Sequence, residues 1–392
     1  MSKSGKISAS YSDEGYSFAI LGNNHHKYKS ERLFTIENNK VKMMKPILIM
    51  VVVAILGACA QGAPKHDASC TGIKAANLIS ACDVTTGICL FGGEPGHYSV
   101  VIEFDNAAST LPKIYSESRR LMFDSAVNMS TKHCTQFSVN VREREGQPLQ
   151  ESAADGFAGL NLHIPKNLSA VKAIYVEKVE SPRVLFIAGD STVCDQDPQW
   201  DRPASERFSG WGQLLPAYFN ADISVANYAD SGEGTAAFRV GGGALWAPLS
   251  KQLKSGDWVL IQLGHNDKKT PAVVYRSRVL AMLQGIKAKG ASPVLVSPMV
   301  RNNGDALYKQ HIYGDLVVKD VLIHLAKLEQ IPFIDLMSLT HGWAETLGQE
   351  DAQKYFVKTD KTHSNEQGAE IFAQMIVKEI ARQQIGLDEY LR

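Results

Sequence analysis

What the sequence lacks narrows its function before any motif is read. It has no charge excess: 41 acidic residues stand against 41 basic ones, for a net charge of +0. With no basic patch and no nucleic-acid-binding motif, a DNA- or RNA-binding role is excluded as a first reading. There is no C-x-x-C pair and no His/Cys spacing suited to zinc, so neither a metal nor an organic cofactor is implied. No long polar tract interrupts the chain. Its 392 residues, 44% of them hydrophobic, can therefore bury a core and are enough for two domains.

A confident membrane span is absent too. The longest apolar run, residues 47–56, is too short for one. It sits in MMKPILIMVVVAILGAC (43–59), where a basic start, an apolar stretch and small residues before Cys59 make up signal-peptide architecture. LGAC at 56–59 looks like a bacterial lipobox, which implies cleavage before Cys59 and a lipid on its sulfur, and hence an exported cell-envelope lipoprotein. The alternative is a plain secretory signal in which Cys59 is incidental. Residues 1–42 are polar and unlike a signal n-region. Either translation starts at Met43 or Met44, or these residues form a cytoplasmic tail on an uncleaved anchor.

Setting Cys59 aside leaves Cys70, Cys82, Cys89, Cys134 and Cys194, an odd number in an oxidising compartment. At least one is then unpaired. The cluster from Cys70 to Cys89 makes a local disulfide plausible, without fixing connectivity.

Short alternating runs at 97–104, 136–142, 159–164 and 173–179 fill residues 65–180. Phe137, Val139 and Val141 alternate with Ser138, Asn140 and Arg142, placing one face inward and the other in water. Several such strands without a long helix argue a small β-sandwich, bounded near Pro182. If that sandwich bound sugar it would need exposed rings, for which Phe91, Tyr98 and Tyr115 are candidates; core packing is the alternative for each.

The rest of the chain is organised around VLFIAGDST at 184–192. An apolar run flanked by glycine reads as a buried parallel strand, and α/β folds place their chemistry at the carboxyl ends of such strands. Ser191 is thereby a candidate nucleophile. Further strands are expected at 223–226, 258–263, 291–297 and 331–336, with helices at 210–219, 271–289, 305–329 and 365–383. Strands alternating with helices imply a parallel sheet covered on both faces over residues 183–392.

Three later blocks join the first: NYADSGEGT (227–235), GHND (264–267) and DKTHSN (360–365). In this order the four blocks resemble those of the SGNH (GDSL-type) hydrolase superfamily. GDST and GHND look most like rhamnogalacturonan acetylesterases, carbohydrate esterase family 12. The resemblance implies a three-layer α/β/α sandwich with a parallel sheet, preceded here by the small β-sandwich. RRLMF (119–123) with FSVNVR (137–142) resembles the N-terminal domain of some such esterases, and small sandwiches ahead of carbohydrate esterases often resemble carbohydrate-binding modules.

By resemblance Ser191 is the nucleophile, His363 its base, and Asp360 the carboxylate that orients the histidine. The oxyanion donors are then the backbone N–H groups of Ser191 and Gly232 and the side-chain amide of Asn266. No G-x-S-x-G elbow surrounds Ser191, which separates the chain from α/β-hydrolases. The family commonly carries Gly-Arg-Ser where this chain has Gly232, Glu233 and Gly234, so substrate detail is open. His265 is a rival base, Asp190 and Asp267 read as loop-shaping acceptors, and Cys194 reads as inert burial. The expected function is O-deacetylation of a pectic, rhamnogalacturonan-type polysaccharide through an acetyl-enzyme. The alternatives are a GDSL-type lipase or thioesterase, or a non-catalytic glycan-binding protein.

Overall fold

The computed structural model describes residues 75–127, 133–142, 145–150, 156–305 and 309–392. The signal-peptide and lipobox reading at 43–59 lies outside the described residues.

Among the described residues fourteen strands run in chain order: β1 Ile88–Gly92, β2 Gly96–Phe104, β3 Ile114–Ser116, β4 Arg120–Phe123, β5 Cys134–Val141, β6 Leu160–His163, β7 Val171–Val179, β8 Arg183–Ala188, β9 Ile223–Asn227, β10 Trp258–Ile261, β11 Ser292–Val296, β12 Ile312–Tyr313, β13 Leu316–Val317 and β14 Phe333–Ile334. One eight-stranded sheet has the order β14-β11-β10-β8-β9-β5-β2-β7. From β14 through β9 to β5 every pairing is parallel. Beyond β5 the pairings are antiparallel.

Strand β8 shows why this part of the sheet is covered twice. Val184, Phe186 and Ala188 point into one core with Trp246, Tyr275 and Met282, while Leu185 and Ile187 point into another with Trp211, Phe372 and Ile376. Alternate residues on a pleated strand face opposite sides, so each face needs its own helical layer. The helices Trp246–Gln252, Ala272–Ala288 and Val318–Glu329 cover one face; Trp211–Leu214, Leu336–Leu347 and Glu366–Gln383 cover the other. The catalytic part is thus a mixed α/β fold built on a mostly parallel sheet.

The N-terminal strands form two layers about a third core that includes Val100, Phe123, Phe137 and Leu162. One layer is the separate sheet β1-β6-β3-β4. The other is not a sheet of its own: β5, β2 and β7 extend the catalytic sheet through the parallel pair Val139↔Val225. The described residues from 75 to 392 accordingly form one compact unit, with no break near Pro182. Tyr98 and Tyr115 are buried and Phe91 packs against this core, so these rings serve packing.

Two local expectations change. The helix expected over 305–329 is not continuous: the helix Val318–Glu329 is preceded by a hairpin in which β12 and β13 pair across Gly314, whose φ of 61° a type-specific turn requires. The stretch 210–219 is one short α-turn followed by a 3₁₀ turn containing Pro216, which cannot donate to a helical ladder. Among the cysteines, Cys82 pairs with Cys89, Cys134 is also disulfide-bonded, and Cys194 is a buried free thiol.

Candidate active site

Each of the four blocks ends a strand or lies in the last loop. Ser191 follows β8, Gly232 lies in the loop after β9, Asn266 follows β10, and Asp360 with His363 lies just ahead of the helix Glu366–Gln383. They meet at the carboxyl edge of the parallel sheet.

Ser191 Oγ and His363 Nε2 are 2.8 Å apart, and His363 Nδ1 and Asp360 Oδ2 are 2.8 Å apart. Asp360 Oδ1 also accepts the backbone N–H groups of Thr362 at 2.6 Å and His363 at 2.9 Å. Partial burial works against the charge on Asp360, but these donors outweigh it and hold the carboxyl at about 2. It is therefore ionised at neutral pH and fixes the proton of His363 on Nδ1, leaving Nε2 to accept from the serine hydroxyl. The Phe208 ring stands edge-on to His363, 5.6 Å between centroids.

The serine turn is locked from beneath. Asp190 Oδ1 accepts from the Thr192 N–H at 3.0 Å and its hydroxyl at 2.8 Å. Thr192 Oγ1 accepts in turn from Gln262 Nε2, whose Oε1 accepts from the Trp211 indole, both at 2.8 Å. The other oxygen of Asp190 meets His265 Nδ1 at 3.2 Å. Burial alone would raise Asp190, but the His265 ring and Thr192 hold it at about 2. Burial pushes the His265 imidazole down, so at neutral pH it is a neutral donor to Asp190. His265 is 1% exposed and its ring is engaged by Asp190 and by His311, so it supports the serine turn, and the contact with Ser191 Oγ belongs to His363.

The groups expected to donate to an oxyanion lie on loops in contact with one another. No described residue accepts a hydrogen bond from the backbone N–H of Ser191 or of Gly232. Gly232 has a φ of 80°, which favours glycine, and a Cβ there would meet nothing within 4 Å, so its backbone faces open space. Asn266 Nδ2 donates to the Glu233 carbonyl at 2.9 Å, which orients the amide and leaves a second N–H. Asp267 accepts from the Thr235 hydroxyl at 2.5 Å and steadies the far end of the Gly232 loop. Cys194 lies beneath the serine turn, and burial raises its thiol well above the ordinary range; it is not a nucleophile in this state.

The sequence profile of the GDSL-like lipase/acylhydrolase family matches residues 187–371. Rhamnogalacturonan acetylesterase RhgT of Bacillus subtilis (strain 168) is 31% identical over 231 residues, covering 54% of this chain and 96% of that one. This chain belongs to the GDSL-like lipase/acylhydrolase family. The probable rhamnogalacturonan acetylesterase YesY of the same organism is 28% identical over 217 residues, 52% of this chain and 95% of that one. The solved structure of protein YXIM_BACsu from Bacillus subtilis matches at TM-score 0.48 and 25% sequence identity, covering 74% of this chain and 79% of that one. As a GDSL-like family member the chain is a serine-dependent ester hydrolase.

Two features of this GDSL-like esterase escape sequence reasoning. The N-terminal part grips the Gly232 loop: Gln147 Oε1 accepts the Ser231 N–H at 2.8 Å, the Leu149 N–H donates to Asp230 at 2.7 Å, and Gln150 Nε2 donates to Asp230 at 3.0 Å and to the Ser231 carbonyl at 2.9 Å. Arg301 ties two blocks together, donating to Thr362 Oγ1 at 2.6 Å and to the His265 carbonyl at 2.9 Å. Polar residues in irregular segments carry no periodic signal, so nothing in the sequence singles them out. Trp246, after the Gly241–Gly243 run, is 8% exposed and packs in the core.

Proposed function

We propose that the chain removes O-acetyl groups from pectic, rhamnogalacturonan-type polysaccharide by a Ser-His-Asp mechanism. The observation that carries this reading is the unbroken hydrogen-bonded chain from Ser191 through His363 to Asp360, at 2.8 Å in each link, beside N–H groups that have no acceptor among the described residues. Ser191 Oγ attacks the acetyl carbonyl carbon while His363 Nε2 takes its proton. The negative charge on the carbonyl oxygen is received by the N–H groups of Ser191 and Gly232 and by Asn266 Nδ2. The intermediate collapses by breaking the bond to the sugar oxygen, which leaves with the proton from His363. Water then attacks the acetyl-enzyme, with His363 again the base, and acetate departs.

The substrate reading is supported by the names of the relatives and by the polar character of the surrounding loops, 195–209 and Lys268 with Lys269 among them. A long acyl chain would need an apolar pocket, where each buried CH₂ contributes ~0.8 kcal/mol. Rates on a series of chromogenic esters test this directly. Activity is expected to fall steeply from acetate to butyrate to octanoate; rates that rise with chain length would favour a lipase or thioesterase. We further propose that the protein is exported and anchored by a lipid on Cys59. Intact-mass analysis after expression in a bacterial host checks this, and an unmodified Cys59 in a soluble mature form would leave ordinary secretion.

A further inference from the structure

A groove of about 780 Å³ opens between the N-terminal sheets and the loop that follows the serine turn. One wall carries Lys113 and Lys166 and the other Trp200 and Arg207, with no carboxylate among the described lining residues. Lys166 is exposed and enters no ion pair among the described residues. Arg207 is held firmly: its Nε donates to the carbonyls of Gln199 and Arg202, its Nη1 donates to Glu366 at 3.4 Å, and its guanidinium lies 5.0 Å over the Trp200 ring. Its Nη2 donates to no described residue. Lys113 is paired with Asp124 at 2.8 Å, and Glu366 is shared between Arg207 and Arg119, the latter at 2.9 Å, so the positive excess left in the groove is that of Lys166 and one guanidinium.

The groove also lies against the catalytic loop. Arg207 is the residue before Phe208, whose ring packs on His363, and Tyr115 in the groove wall donates to Glu366 at 2.9 Å, three residues past His363. A polymer whose acetyl group reaches Ser191 would lay a neighbouring sugar near this wall.

We propose that this groove is a subsite for a uronate sugar of the substrate chain, its carboxylate received by Arg207 and Lys166. A guanidinium fixed in place with an open N–H edge suits a planar carboxylate, and a second cation on the opposite wall limits where that carboxylate can sit. This inference rests on the carbohydrate-esterase reading above and adds the charge that the substrate must carry beside the acetylated unit. It also assigns the N-terminal strands a part in substrate recognition.

Titration calorimetry of the full protein with tetragalacturonate and with xylotetraose, neither of which carries an acetyl group, tests it. Tetragalacturonate is expected to bind, xylotetraose not, and binding should weaken as salt is raised. Lys166→Ala should weaken tetragalacturonate about two- to five-fold, Lys166→Glu more, and Arg207→Lys several-fold although it keeps the charge. Lys166 is exposed, so its substitution does not endanger the fold. Equal binding of the two oligosaccharides, or wild-type affinity in both Lys166→Glu and Arg207→Lys, would overturn the subsite. Acetate release from a chromogenic ester, measured on the same protein, reports the esterase reading separately. Binding without acetate release would leave the subsite standing and remove that reading, whereas acetate release without a preference for the uronate would remove the subsite alone.

Discussion

Replacing Gln147 by alanine removes the acceptor that holds the Ser231 N–H at 2.8 Å, one residue before the proposed oxyanion donor Gly232. Four hydrogen bonds join the loop of Gln147, Leu149 and Gln150 to Asp230 and Ser231, and this substitution deletes one. A bond of this kind contributes about 1 kcal/mol net. Loss of a whole oxyanion donor sets the upper bound, ~10²–10³ in turnover. With three of the four bonds intact, Gly232 should shift only slightly, and kcat on a chromogenic acetate ester is expected to fall about three- to ten-fold with KM little changed. The Tm should drop by about 1–2 °C. The double variant Gln147→Ala/Gln150→Ala leaves only the Leu149 bond and should approach the upper bound. Steady-state kinetics at matched folded concentration, checked by circular dichroism, provides the measurement. An unchanged kcat in the double variant would refute the claim that the N-terminal part holds the oxyanion loop in place.

Other perturbations follow from the same geometry. Asn266→Ala should cost ~10²–10³ in kcat with little effect on KM, because its amide acts on charge that develops after binding; an equal rise in KM would indicate ground-state binding. His363→Ala should lose several orders of magnitude in turnover, whereas His265→Ala removes a donor to buried Asp190 and should chiefly reduce stability, by about 1–3 kcal/mol. Full activity in His363→Ala would refute that division. Burial raises Glu117 to about 8 and Glu145 to about 7, against the opposing pull of Arg120. The folded protein then holds protons that the unfolded chain releases, so stability falls as pH rises from the ordinary carboxyl value through about 8. Thermal melts from about pH 5 to about pH 8 should show declining Tm, and Glu117→Gln should flatten the slope.

The chemistry was more legible in the sequence than the architecture around it. A strand followed by Gly189, Asp190 and Ser191 announces itself through hydrophobic pattern and turn residues, and Asp360 lies three residues from His363 in the chain. The β5–β9 junction leaves no such trace: it rests on the pairing of Val139 with Val225, and a parallel pair between distant segments has no local signature. Pro182 sits in a tight turn between β7 and β8, and a turn and a linker share composition. The over-long helix reading at 305–329 missed Gly314 as a hairpin turn because Val317, Val318, Val321 and Leu322 continue an apolar spacing across the boundary. The struts from Arg119 to Glu366 and from Arg120 to Asp195 join residues far apart in the chain, and charge alone does not announce burial.

Acetate release from acetylated rhamnogalacturonan by the wild-type chain and by Ser191→Ala tests the central claim most directly. Wild-type protein should release acetate, and Ser191→Ala, folded to the same Tm, should fall by several orders of magnitude. Release that persists in Ser191→Ala would contradict the assignment of the nucleophile, and a wild-type chain that cleaves long-chain esters but frees no acetate from the polysaccharide would contradict the assigned substrate.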